Sequence, residues 1–96
     1  MGIYLIQNPD GTSRQLSVNG RDEWALNALR RAGARGCTPI DNPAPRWSGY
    51  VFNLRQMGFD IETVTERHQG PFPGCHARYV LHSTVLLIGG QDGKAA

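Results

Sequence analysis

Residues 45–83, PRWSGYVFNLRQMGFDIETVTERHQGPFPGCHARYVLHS, change from a helical period to a strand period and then to a second strand. Trp47, Val51 and Leu54 recur at i, i+4 and i+7, so they share one side of a helix. That helix begins near Pro45 or Arg46 and ends at Met57, with Gly58 as its stop. Phe59, Ile61, Thr63, Val64 and Thr65 suit a strand, while residues 68–75 hold two glycines and two prolines and must form a loop. Ala77, Tyr79 and Leu81 then alternate with Arg78, Val80 and His82, the pattern of a returning strand. A helix that feeds directly into a β-ribbon is the unit the rest of the chain must accommodate.

Upstream, the apolar run Ile3–Ile6 meets a strong turn signal, Asn8-Pro9-Asp10-Gly11, and Arg14 to Val18 reads as the return strand of a hairpin over residues 1–18. Asn19 offers a helix N-cap, with Asp22 and Glu23 in the first turn where negative charge suits the dipole. Ala25, Leu26, Ala28, Leu29 and Ala32 form the buried stripe, Trp24 flanks it, Arg30 and Arg31 occupy the last turn, and Gly33 ends the helix. Thr38-Pro39-Ile40-Asp41 starts another helix, which Pro43 and Pro45 stop after about one turn. Val85–Ile88 has strand length and fits against the N-terminal hairpin, and residues 89–96 read as a mobile tail.

With 96 residues the chain has room for one modest core, and we read a single domain over residues 1–88. Helices fill 20–58 and the ribbon 59–83. No apolar run approaches the length of a membrane span, and the start lacks the pattern of a signal peptide, so the expectation is a cytoplasmic protein. Cys37 and Cys75 are read as reduced thiols. Net charge is only +2, but nine of the ten basic residues are arginine, whose planar fork matches phosphate and guanine edges. Residues 46–83 hold four arginines against three acids, Asp60, Glu62 and Glu66, so charge makes nucleic-acid binding plausible without requiring it.

The segment Ile40–Ser48, the junction Leu54-Arg55 to Gly58 leading on to Thr63, and the closing Ala77-Arg78-Tyr79-Val80-Leu81 resemble the small stand-alone winged helix-turn-helix proteins of bacteria and their prophages. The resemblance spans roughly residues 20–83. It implies an α+β fold of three helices with a C-terminal β-wing, here preceded by the N-terminal hairpin. It further implies double-stranded DNA as partner, with the 45–57 helix in the major groove and the wing on the backbone. The prolines leave the second helix shorter than is usual in such proteins.

About 100° per residue sets Arg46, Gly49, Asn53 and Gln56 opposite the buried side of the third helix, with Phe52 on the flank. Arginine reads guanine, asparagine and glutamine read adenine, and Gly49 allows close approach. The candidate DNA contacts are therefore Arg46, Ser48, Gly49, Phe52, Asn53 and Gln56 from the helix, with Arg67 and Arg78 from the wing. Arg55 lies nearer the buried side, where it forms a salt bridge or reaches a phosphate. Phe52, an exposed aromatic, touches a thymine methyl, packs under the wing or meets another protein. That last role is the alternative function, a non-catalytic interaction module. A homodimer through the hairpin or the 85–88 strand is a third option. His68, Cys75 and His76, with His82 or Cys37, lack the spacing of a zinc site. Ser48 and Ser83 have no assigned base, and the Gly-rich loop lacks the lysine of a phosphate-binding loop. The expectation is a DNA-binding transcriptional regulator or mobile-element factor without cofactor, metal or enzymatic activity.

Overall fold

The computed structural model describes residues 2–39, 41–42, 46–68 and 74–90. Strand β1 (Gly2–Gln7) and β2 (Ser13–Val18) form an antiparallel hairpin. Its turn is closed by Asp10, whose carboxylate accepts from the Thr12 amide at 2.9 Å and the Thr12 hydroxyl at 2.6 Å. Gly11 supplies the positive φ of 92° that the tight reversal needs. Helix α1 (Gly20–Ala32) follows, then a 3-10 turn (Gly33–Arg35), helix α2 (Trp47–Met57), and the strands β3 (Ile61–His68), β4 (Gly74–Leu81) and β5 (Thr84–Gly90). The strands form two sheets, β2-β1-β5 and the β3–β4 ribbon, and all their pairings are antiparallel.

The helix count corrects the expectation. Three helices were expected, and the described residues contain two α-helices. Where the middle one was placed, Thr38 acts as the expected cap: its Oγ1 accepts from the Asp41 amide at 2.9 Å, and its carbonyl accepts from the Asn42 amide at 2.9 Å. That is one turn. Pro43 and Pro45 cannot donate the amides a second turn would use, and they lie, with Ile40 and Ala44, outside the described residues. The last strand is a second correction. It runs to Gly90, two residues into the stretch read as a tail, and residues 91–96 of that tail lie outside the described residues.

The helical stripes are buried as their periodicity predicts. Ala25, Leu26, Ala28 and Leu29 of α1 face Val51, Leu54 and Trp47 of α2 in one core with Tyr4, Ile6, Val18, Phe59, Ile61 and Tyr79. Trp24 and Tyr50 join the core's Trp47 and Tyr79 in an aromatic cluster, with Trp47 stacked on Tyr79 at 6.0 Å and 22°. Helix α2 ends on Gly58 in the left-handed region, φ 110°, and the Phe59 amide returns to the Leu54 carbonyl at 3.1 Å. Asn19 holds the N-cap position of α1, but its side chain makes no capping bond.

Two long-range connections position the ribbon. Cys37 and Tyr79 exchange both backbone hydrogen bonds at 2.9 Å, tying the segment after α1 to β4. Gly36 precedes it with φ 72°, and a Cβ there would lie 2.5 Å from the Tyr79 carbonyl oxygen, so only glycine fits. The second connection gathers the tip of the N-terminal hairpin, the end of α2 and the exit of the ribbon. Asn8 Nδ2 donates to the Gly58 carbonyl and Arg14 Nη1 to the Met57 carbonyl, each at 2.9 Å. The Ser83 hydroxyl donates to Asn8 Oδ1 and accepts from the Asp60 amide at 2.8 Å. The C-terminal end of α2 is thus held by side chains of the N-terminal hairpin.

Candidate nucleic-acid interface

The exposed side of α2 presents Ser48, Phe52, Asn53 and Gln56, with Arg46 at the N-cap position and Gly49 half-buried between them. Arg46, Gly49, Tyr50, Phe52 and Asn53 line a shallow depression of about 310 Å³. The nearest atoms to a Cβ added at Gly49 would be those of the Arg46 side chain, at 3.8 Å, an ordinary contact. Phe52 is 61% exposed and does not pack under the ribbon. Asn53 is partly engaged, since its Nδ2 donates to Asp22 of α1 at 3.1 Å. Beside it Arg21 lies over the rings of Trp24 and Tyr50, at 5.0 and 5.7 Å, and donates to the Tyr50 hydroxyl at 3.2 Å.

The ribbon divides its charges between two faces. Strand alternation puts Ile61, Thr63, Thr65 and Arg67 on one side, opposite Leu81, Tyr79, Ala77 and Cys75. This is the side toward the core and α2, because Ile61 and Tyr79 are buried and Arg55 of α2 reaches it. The Arg55 guanidinium donates to the Ile61 carbonyl through Nε at 3.1 Å and Nη2 at 2.7 Å, and to Thr63 Oγ1 at 2.7 Å. Arg55 makes no salt bridge among the described residues; it clamps the root of the ribbon to the end of the helix. Thr65 and Arg67 lie exposed beyond that clamp, and Thr63 within it is exposed as well.

Both ribbon glutamates lie on the other side. Glu66 accepts from Arg78 Nε at 2.6 Å and meets His76 Nε2 at 3.1 Å, while Glu62 meets His82 Nε2 at 2.7 Å. Arg78 also donates through Nη1 to the Arg35 carbonyl at 2.8 Å. The guanidinium holds the Glu66 carboxyl below the usual carboxylate range, His76 adds to the effect, and Glu66 in turn pushes Arg78 up. Of the two ribbon arginines singled out in the sequence, Arg67 shares a side with α2, and Arg78 is engaged by Glu66 and Arg35 on the far side.

The family model for the winged helix domain matches residues 15–91, from within β2 to just past β5. The chain belongs to the winged helix domain family. No curated protein and no solved structure matches it. Strand β1, which lies before the matched region, is the central strand of its sheet in this winged helix domain. It also supplies Tyr4 and Ile6 to the core.

Several side chains of the winged helix domain escaped the sequence reading. Glu23, placed in the first turn of α1 for its charge, is buried and accepts from the Tyr4 hydroxyl at 2.7 Å. Burial, with the Glu23 carboxylate beside it, pushes the Tyr4 phenol up. Arg55 and Asp22 had no visible partners because theirs lie on other elements. Cys37 is buried and Cys75 exposed, both as free thiols, and burial pushes the Cys37 thiol up. Among the described residues no group of three or more His, Cys, Asp or Glu side chains is placed to hold a metal ion. No described helix is long and apolar enough to cross a membrane. A cleft of about 650 Å³ between the end of α1 and the β4–β5 turn is lined by Asn27, Arg30, Arg31, Leu81, Ser83 and Val85 among others, and among the described residues no carboxylate or histidine lines it.

Proposed function

We propose that this winged helix domain binds double-stranded DNA, with α2 in the major groove and the wing's α2-facing side along the adjacent backbone. The observation that carries the reading is the sorting of charge across the wing. Thr63, Thr65 and Arg67 lie on the wing side that Arg55 of α2 reaches, while Glu62 and Glu66 lie on the other side and are paired there. A phosphate backbone entering between α2 and the wing meets donors and a guanidinium, and the carboxylates stay behind the sheet.

In this mechanism Arg46 and Gln56 read base edges, guanine and adenine respectively. Asn53 joins them on exchanging Asp22 for a base. Ser48 and the small Gly49 allow a phosphate close to the helix, Phe52 covers a thymine methyl, and Arg67 holds the backbone. Arg78 serves the complex indirectly, by bracing the wing through Glu66 and Arg35. The physiological role we assign is that of a transcriptional regulator or mobile-element factor, acting without a cofactor.

A second reading rests on Phe52, whose 61% exposure beside the depression also suits a protein partner. Fluorescence anisotropy with a random duplex pool across a salt series separates the two. DNA binding predicts affinity that falls with a log–log slope of about 0.9 per phosphate neutralised. It also predicts that Arg46→Ala weakens binding more than Phe52→Ala. Absence of salt-sensitive binding to any duplex would overturn the DNA reading and leave the interaction module.

A further inference from the structure

The two edges of the three-stranded sheet are built differently. Among the described residues neither β2 nor β5 has a strand on its outer side. The β2 edge is protected in the usual way: Arg14 is exposed along it, with polar Ser13, Gln15 and Ser17. The β5 edge, Thr84-Val85-Leu86-Leu87-Ile88-Gly89-Gly90, has no charged residue and no proline. Its Val85 and Leu87 pair with Ile6 and Tyr4 and are half-buried. Leu86 and Ile88 point to the opposite face, where they are 49% and 47% exposed. Ile3, 38% exposed, and half-buried Leu5 of β1 extend this apolar surface. Ile88 is the extra residue of a bulge opposite the Ile3–Tyr4 step, so it has no cross-strand partner within its own sheet.

An uncharged edge of this kind offers unpaired backbone donors and acceptors with no side-chain repulsion to keep another strand away. We infer that β5 is a self-pairing edge through which two copies of this chain join in antiparallel register about a twofold axis. The segment is suited to itself. A twofold axis through Leu87, normal to the sheet, sets Leu86 of each copy opposite Ile88 of the other on one face of a continuous six-stranded sheet. It brings no like charges together. The occupant is therefore a second copy: an acidic or basic partner would find no counter-charge on 84–90, whereas the identical strand satisfies both the backbone and the Leu–Ile face.

The size of the edge sets the strength. A seven-residue strand is about 24 Å long, so its contact falls short of the roughly 800 Å² per partner of a standard stable interface. Association is accordingly modest and appears as concentration is raised. The Asn8, Arg14 and Ser83 connections join this sheet to the end of α2, so pairing at β5 also sets the separation of two α2 helices. The inference does not depend on DNA binding, and no nucleic acid enters its test.

Sedimentation equilibrium of the full chain, from low to high micromolar concentration, reads the outcome directly. The expected result is a mass that rises from one copy to a plateau at two. The double substitution Leu86→Lys with Ile88→Lys, both at half-exposed outer-face positions, should hold the mass at one copy throughout. Ser17→Lys on the β2 edge should behave as the parent. Should the double variant fail to fold by circular dichroism, hydrogen exchange of the parent decides: amides of 84–88 must slow with rising concentration while those of 13–18 do not. A parent that stays at one copy, growth past two copies, or association that survives the double substitution would overturn the inference.

Discussion

The two faces of the β3–β4 ribbon are made from the same sixteen or so residues, yet they differ in what their charges do. On the outer face every carboxylate has a basic neighbour: Glu66 with Arg78 and His76, Glu62 with His82. On the face toward α2, Arg55 is engaged by backbone and hydroxyl oxygens, and Thr63, Thr65 and Arg67 stand exposed. A count of four arginines against three acids describes neither face. Pleating by period two converts a near-neutral segment into one self-neutralised surface and one surface with cationic and hydroxyl donors. The difference teaches that the charge such a ribbon presents is decided by which side it turns toward α2.

The sharpest way to break this comparison is charge reversal on each face in turn. Arg67→Glu, together with Arg46→Ala on the helix, should lower duplex affinity by roughly a hundredfold or more, taking about 1–3 kcal/mol for a good base contact and adding a lost phosphate contact. Glu62→Lys on the outer face should change affinity by less than about threefold at the same salt, since the charge added there stands off the DNA path. Equal losses on the two faces would end the distinction.

Next in size is the clamp. Arg55→Ala removes three hydrogen bonds from the root of the wing and should destabilise the fold by about 1–3 kcal/mol, read by denaturant unfolding. Arg55→Lys should recover little, because an ammonium cannot span the Ile61 carbonyl and Thr63 hydroxyl as a planar fork does. Smaller again is a pH effect confined to the outer face. Glu66 has a lowered carboxyl pKa in the fold, so its stabilisation is fully present above the carboxylate pKa of the unfolded chain and is lost as pH falls through the folded value. Thermal unfolding of Glu66→Gln should therefore match the parent more closely in acid than at neutral pH. The smallest expected effect is Glu62→Gln: its pair with His82 is exposed on both sides, and no measurable change in midpoint is expected.

Much of the frame is legible in the residues. The α1 and α2 stripes, Gly58 as the stop and the 77–81 alternation depend on local period and local backbone freedom, and the structure follows them. The strand at 84–90 joins the hairpin as its apolar run suggests. What could not be read depends on partners distant in sequence. Glu23 is buried because Tyr4 of β1 crosses α1, nineteen residues away. Asn53 meets Asp22 only once the two helices pack, and Arg78 meets Arg35 only once Cys37 pairs with Tyr79. The site was half legible for the same reason. A helical wheel identifies the exposed side of α2 without tertiary information, but assigning Arg67 and Arg78 to opposite faces requires the register of the ribbon and the side on which α2 lies.

The central claim is that DNA lies between α2 and the α2-facing side of the wing. Titration of the isotopically labelled domain with a short duplex, followed by backbone and side-chain chemical shifts, tests it residue by residue. The account predicts the largest changes at Ser48, Gly49, Asn53, Gln56, Thr63, Thr65 and Arg67, at the Arg46 guanidinium, and little change at Glu62, Glu66 and Arg78. Changes concentrated on Glu62, Glu66, His76 and Arg78, with α2 unmoved, would contradict it.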